Sequence, residues 1–290
     1  MYPQSSTEDS NYDVINCLTY YPGYEVKFTQ DKEELNQVKK LRIKQINAMH
    51  ADDPEQNETS KVNTKNNKNY KKLIDEHKDL IHDGYDSHTR HLIVKDVYNR
   101  RVIAYVRIID SFTAFKIGGF FSETRFNLSK LINNQQYYLE FSCLVVDEQY
   151  HSYHTINLLW SGLLQYAQQS GADAVIGLLA VPLNKGINNS FNNALRMISK
   201  LKARHMSNKK QRVVPYQMLP GSFSSKFSSK ILSIVYIEYL FSRGIRICGD
   251  AYWNHSSNEA ELFIYYKMNN IPRIPECIHL NEIELGRMCE

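Results

Sequence analysis

Apolar and polar positions along this chain fall into short alternating or unbroken apolar runs separated by helical periodicities, the pattern of an α/β protein. Tyr24 to Phe28 alternates as a short strand. Leu35, Val38, Leu41 and Ile46 then recur at helical spacing, with Thr29 or Asp31 placed to cap the helix. Residues 52–72, DDPEQNETSKVNTKNNKNYKK, are nearly devoid of branched apolar side chains and predict a long mobile loop. RHLIVKDVYNRRVIAYVRIID (90–110) predicts a hairpin turning near Tyr98 to Arg100. In its second arm Val102, Ala104, Val106 and Ile108 share the core face, while Ile103, Tyr105 and Arg107 take the other. GGFFSETRFNLSKLI follows as a turn and short helix, and then comes the strand-forming run YYLEFSCLVVDEQY (137–150). HTINLLWSGLLQYAQQSG predicts a helix over 155–170, with Thr155 as cap, a stripe of Ile156, Leu159, Leu163 and Ala167, and Gly171 as terminator. The fully apolar AVIGLLAVP suits a strand covered on both faces. A basic helical region, a helix ending near Gly244, and strands around ICGDAYW and ELFIYYKM complete the order. The prediction is one domain over residues 23–290 around a mixed sheet, behind a flexible tail at 1–22.

One position breaks the apolar logic. Along 138–145, Leu139, Phe141, Cys143 and Val145 fall on one face, and Tyr138, Glu140, Ser142 and Leu144 on the other. Glu140 and Ser142 therefore stand side by side in the middle of a central strand. A desolvated, unpaired carboxylate there costs several kcal/mol. The pattern leaves two readings: a structural ion pair with a residue such as Arg107, or a general base whose pKa burial raises toward neutrality.

Charge changes the picture through its distribution. From Ala174 to Ile237 there is no Asp or Glu but ten Lys and Arg, whereas the rest of the chain holds 25 basic against 31 acidic residues. A basic stretch of this kind serves an acidic protein, phospholipid headgroups or nucleic acid. It lacks the interleaved aromatics of a strand-binding surface, which argues against nucleic acid. No run approaches the roughly 18 apolar residues of a spanning helix, and the N-terminus lacks the basic start and apolar core of a secretory signal, so a cytoplasmic location is expected. Five dispersed cysteines without C-x-x-C spacing argue against a disulfide framework or a zinc site. The histidines His77, His82, His88, His91, His151 and His154 have no convincing metal-ligand spacing, so no metal is expected.

Several stretches carry a family resemblance. LRIKQI (41–46) resembles an L-R-Y-x-V-F helix, DGYDSHTRHLIV (83–94) a D-x-F-D-x-x-x-x-H-L-x-V segment, and FFSETRFNLSKL (120–131) F-Y-S-E-x-E-F-D-L-S-x-L. LEFSCLVVDEQY followed by INLLWSGLLQY resembles L-E-L-G-R-S-C-V-x-P-x-Y followed by L-L-W-x-G-L-x-x-Y. The C-terminal RGIRICGDAYWNHSSNEAELFIYY resembles L-G-A-x-V-C-G-E-P-A-W-D-x-x-F-N-T-A-D-L-F-V-L. These motifs are those of GNAT-superfamily bacterial N-acyltransferases of the ornithine-lipid type and of the related N-acyl amino acid and acyl-homoserine-lactone synthases. The resemblance implies an α/β (α+β) GNAT-like fold, with a mixed central sheet, a splayed strand pair and helices on both faces. It implies transfer of a fatty acyl group from acyl carrier protein to an amine. Glu140 takes the position of the catalytic base with Arg107 beside it, and Arg42, Asp83, Asp86, Ser142, Cys143 and Trp160 are the implied substrate-binding residues. Two departures put the acceptor in question: Cys143 stands where the family has an arginine, and WNHSSNEAE removes one acid and shifts another.

The loop after the central strand, DEQYHSYHT, has no glycine with which to cradle a nucleotide pyrophosphate. It better suits the single phosphate of a carrier-bound phosphopantetheine, with Val145, Thr155 and Ile156 as the donor-binding residues. The expected cosubstrate is therefore acyl-phosphopantetheine, on acyl carrier protein or as acyl-CoA, with no tightly bound cofactor. Carrier proteins are acidic, so Lys200, Lys202, Arg204, Lys209, Lys210 and Arg212 form the expected docking face. An amphiphilic product would also bring the protein to the inner membrane surface.

Overall fold

The computed structural model describes residues 19–50, 84–133, 135–150, 152–183, 190–219 and 240–268. The 52–72 loop, the N-terminal tail up to residue 18 and Asp83 lie outside them. In chain order the elements are β1 (Thr19–Tyr21), β2 (Tyr24–Thr29), α1 (Lys32–His50), β3 (Arg90–Asp96), β4 (Arg101–Asp110), α2 (Ser111–Ile117), β5 (Phe126–Asn127) and β6 (Tyr138–Val146). Then come α3 (Tyr153–Gln169), β7 (Ala174–Pro182), α4 (Ser190–His205), β8 (Val214–Pro215), β9 (Arg246–Ile247), β10 (Tyr252–Asn254) and β11 (Glu259–Lys267).

A mixed sheet runs β1-β2-β3-β4-β6-β7-β11-β10, with β9 also pairing β11 and a separate β5–β8 ribbon. All its pairs are antiparallel except β6–β7, the two strands joined by α3. On one face, Leu159, Leu163 and Ala167 of α3 and Met197, Ile198 and Leu201 of α4 pack on Val106, Ile108, Leu139, Phe141, Leu262 and Ile264. On the other face α1 covers Ile93, Val102 and Tyr105, and α2 with the segment Phe120–Leu131 covers Ile109, Tyr138, Ile176 and Phe263.

Local chemistry fixes the ends of the elements. Asp31 accepts the Glu34 N–H at 2.9 Å and caps α1. The cap of α3 is Ser152 rather than Thr155: its hydroxyl accepts the Thr155 N–H at 3.2 Å, which puts Thr155 inside the first turn. Gly171 ends α3 with φ +70°, as the sequence predicts. The seven-residue α2, capped by Asp110, is absent from the sequence reading.

Two irregularities shape the sheet. Between β3 and β4 the register shifts at Val94/Lys95, with Val94 opposite Ala104 and Lys95 opposite Val102. Ile103 is the extra residue, so Val102 joins the α1 side and Ile103 the α3 side, which breaks the simple alternation. Between β4 and β6, Arg107 faces Ser142 while Tyr105 faces Val145. The extra residue in β6 lies at Cys143, whose φ is +53°.

Candidate active site

The parallel pair β6–β7 is short. It holds from Tyr138–Ala174 to Phe141–Gly177 and then stops, although β6 continues to Val146 and β7 to Pro182. Beyond Phe141 the β7-facing edge of β6 has no ladder partner among the described residues, and β7 stays paired only with β11. The strands form the two limbs of a V. Gly177 sits at its crotch, where a Cβ would lie 2.6 Å from the Phe141 carbonyl oxygen and 2.6 Å from its ring. The bulge at Cys143 lies two residues beyond that point in β6.

A charged centre lies on the α1 side of the β4–β6 limb. Arg107, 1% exposed, donates from Nε to Ser142 Oγ at 2.9 Å and from Nη1 to Asp86 Oδ1 at 3.0 Å. Arg42 reaches the same carboxylate, Nη1 lying 2.9 Å from Oδ2. Its Nη2 lies 3.6 Å from Cys143 Sγ. Burial pushes the Asp86 carboxyl up, but the Arg42 and Arg107 guanidiniums outweigh it and hold the group below the ordinary range. His91 completes the centre, with one ring nitrogen 3.0 Å from Tyr105 Oη and the other 3.1 Å from the Asp86 carbonyl; burial keeps its pKa low. The sequence thus brings Arg42, Asp86, Arg107, Ser142 and Cys143 together. Cys143, expected on the face opposite Glu140, lies on the same side, because the bulge shifts the alternation by one residue.

Glu140 is 0% exposed, and both of its oxygens are occupied. Oε2 accepts the Phe121 N–H at 2.7 Å; Oε1 accepts the Ser122 N–H at 2.8 Å and the Ser122 hydroxyl. Burial pushes its pKa up to about 7, against the pull of these donors. The carboxylate therefore holds the tight turn Phe121–Thr124 against the central strand. In this structure three donors of residues 121 and 122 engage the two oxygens of the expected base. The turn it holds carries the Phe121 ring, with the Arg107 guanidinium 5.1 Å from the ring centre and that of Arg125 5.4 Å away.

The other predicted residues distribute as follows. Trp160 is a core residue, edge-on to Phe141 and Tyr266 at 5.8 and 5.9 Å on the α3 side, not in the charged centre. Val145 and Ile156 are buried, and the N–H groups of Thr155 and Ile156 already bond Ser152. Lys200, Arg204, Lys209, Lys210 and Arg212 are exposed around the end of α4. Lys202 is half-buried and paired with Asp250.

Sequence reasoning missed the second limb. Glu259 and Glu261 of β11 are buried, and Arg125 Nε lies 3.3 Å from Glu261 Oε2. Asn254 donates to Glu261 Oε1 at 2.8 Å, and Ser257 donates to Glu259 Oε2 at 2.7 Å. Two acids spaced by two in an otherwise apolar strand, as in EAELFIYY, were the signal available.

Comparison with known proteins bears on one part of this site. Residues 63–161 match the acetyltransferase (GNAT) domain family. That GNAT segment includes Asp86, Arg107, Glu140, the bulge and the start of α3, and leaves out α1 and the β7–β11 limb. An L-ornithine N(alpha)-acyltransferase of Rhizobium meliloti (strain 1021) is 27% identical over 107 residues, 34% of this chain and 36% of that protein. One from Agrobacterium fabrum (strain C58 / ATCC 33970) is 28% identical over the same shares. The chain spans about a third of the length of these curated relatives. Among solved structures, FeeM, an N-acyl amino acid synthase from uncultured soil microbes, matches with a TM-score of 0.45 at 6% identity, over 85% of this chain and 92% of that one. A spermidine N-acetyltransferase from Vibrio cholerae matches with a TM-score of 0.39 at 11% identity, over 86% and 97%.

Proposed function

We propose that this protein is an N-acyltransferase that moves a long fatty acyl group from acyl carrier protein to the amine of an amino acid or similar small acceptor. The observation that carries this reading is the separation of β6 from β7 after Phe141, beside a buried Arg42–Asp86–Arg107 centre. An acyl-phosphopantetheine arm laid along the free edge of β6 would meet backbone donors there, and the strand N–H groups near Cys143 to Val145 would stabilise the oxyanion. The GNAT match over residues 63–161 and the L-ornithine N(alpha)-acyltransferase relatives support an amine acceptor.

Transfer is direct. The amine nitrogen forms a bond to the thioester carbonyl carbon, the C–S bond breaks, the nitrogen loses a proton to a base, and the phosphopantetheine sulfur leaves and is protonated. Glu140 is a positioning residue in this scheme, since it fixes the Phe121 turn beside Arg107. The N-terminus of α3 takes the single phosphate of the arm. Lys200, Arg204, Lys209, Lys210 and Arg212 face the acidic carrier, in the cytoplasm and at the inner membrane surface where the amphiphilic product partitions.

The test is free-thiol release from acyl carrier protein charged with a long-chain acyl group, with and without a panel of amino acids, followed by mass spectrometry of the lipid products. Amine-dependent thiol release with an N-acyl product is the expected result. Thiol release that no amine accelerates, or none at all, would overturn the reading.

A further inference from the structure

Glu140 accepts three donors from the turn it holds, which leaves room in the mechanism for a second carboxylate at the acceptor nitrogen. The opposite limb of the V carries one. Glu259 and Glu261 pair with Pro182 and Ala180 of β7, both beyond Gly177, where β6 has already left. Their strand alternation puts them on the face of Phe263 and Tyr265, which pack with Tyr138, and Tyr138 shares its face with Glu140. The two limbs are bridged on that face. Arg107 and Arg125 lie on the Phe121 ring, and Arg125 is paired with Glu261.

Within this pair the two carboxylates differ. Glu261 accepts from Asn254 on Oε1, and its Oε2 faces Arg125 Nε at 3.3 Å as an ion pair without a hydrogen bond among the described residues. Glu259 is only 7% exposed and bonds the Ser257 hydroxyl through Oε2, while its Oε1 is fully buried with no hydrogen-bond partner among the described residues. A buried carboxylate oxygen without a donor costs stability of the order of 1–3 kcal/mol, and such a cost is retained where a ligand supplies the donor. The missing donor must bring N–H or O–H, and an amine or ammonium head fits.

We propose that Glu259 is the catalytic base of the acyl transfer, receiving the acceptor's neutral amine nitrogen on its unpaired oxygen, with Glu261 and Arg125 as the residues that position it. This rests on the N-acyltransferase reading above. In the step, one N–H proton passes to the Glu259 carboxylate as the N–C bond forms and the C–S bond breaks; the proton then goes to the departing thiolate. The charged groups around Glu259 are Glu261 on its own strand and Arg125, which faces Glu261 from the turn after Thr124. Burial, with the Glu261 charge adding and the Ser257 hydroxyl opposing, brings the Glu259 pKa to about 7, a value suited to accepting a proton near neutral pH.

The experiment measures amine-dependent thiol release by wild type, Glu259→Gln, Glu259→Asp and Glu140→Gln across pH 5.5 to 9. Glu259→Gln is expected to lower kcat/KM by about 100-fold or more and to flatten the rise of rate through neutral pH. It is also expected to raise unfolding resistance at pH 8, since it removes a buried charge, so lost activity there is not lost folding. Hydroxylamine, unprotonated at neutral pH, should restore much of the variant's rate after subtraction of the enzyme-free reaction, and Glu259→Asp should fall between. Wild type that releases no thiol in response to any amine sinks the acyl-transfer reading and this assignment together. An active wild type with a Glu259→Gln variant of equal rate and equal pH profile sinks the assignment alone, as does a flattened profile in Glu140→Gln but not in Glu259→Gln.

Discussion

Asp86 is the residue on which the charged centre turns. One carboxylate serves both Arg42 and Arg107, and removing its charge leaves two guanidiniums buried side by side. Asp86→Asn should lower stability by about 3 kcal/mol, read as a shift of the urea midpoint at constant slope, because breaking a buried pair costs far more than the pair gains. An unchanged midpoint would mean that water or another group compensates both arginines. Cys143 is constrained differently. At φ +53° its backbone is in the left-handed region, which a β-branched side chain tolerates poorly. Cys143→Val should cost about 2 kcal/mol, whereas Cys143→Ser should cost much less. Equal thermal midpoints for the two variants would show that the bulge is not held at this residue. Neither feature is legible from residue type. The hairpin sequence placed Arg107 away from the core, but Asp86 as its partner comes from a turn 21 residues upstream, and a positive φ at a cysteine leaves no mark in the sequence.

Among the elements, the β6–β7 pair sets the site. Their run of four matched residues ends at Gly177, where a Cβ would overlap the Phe141 carbonyl. Gly177→Ala should push the strands apart at their last contact and cost about 1–3 kcal/mol. It should also impair acyl transfer more than a surface substitution such as Lys32→Ala. A fully stable, fully active Gly177→Ala would show that the limbs tolerate wider spacing. The elements themselves were largely readable. AVIGLLAVP is β7 residue for residue, and α3 is displaced by two positions at its start because Ser152 outcompetes Thr155 as cap. The alternation failed only at Ile103 and Cys143. Each is a bulge, and a bulge moves side chains between faces without altering their sequence spacing.

Across the whole molecule, burial of carboxylates governs the response to pH. Glu140 and Glu259 both have folded-state values of about 7 against an ordinary 4.5, so the folded protein binds protons that the unfolded chain has released. Their favourable contribution is fully present below about 4.5 and is lost as pH rises through 7. Asp86, held low, contributes with the opposite sign: present above its ordinary 3.8 and lost in acid. The unfolding midpoint should therefore be highest in mildly acidic solution and fall toward pH 8. A midpoint that rises steadily from pH 5 to pH 8 would contradict the burial of these two glutamates. The exposed cations around α4 act at longer range. If they meet an acidic carrier, KM for the charged carrier protein should rise steeply with salt while the rate at saturation holds, and replacing Lys209, Lys210 and Arg212 by Ala should reproduce that rise at low salt.

By itself the sequence determined the order of the main strands and of α1, α3 and α4, most of the apolar faces that make them, the basic stretch after β7 and the anomaly of an acid within β6. Those follow from periodicity and charge, which are local properties of the chain. What only the tertiary structure decided is how each buried carboxylate is bonded: Glu140 accepts from the backbone of a turn 18 residues upstream, and Glu259, on a strand far along the chain, keeps one oxygen without a hydrogen bond among the described residues. Whether a buried group is satisfied depends on donors brought from distant segments, and no spacing along the sequence records that.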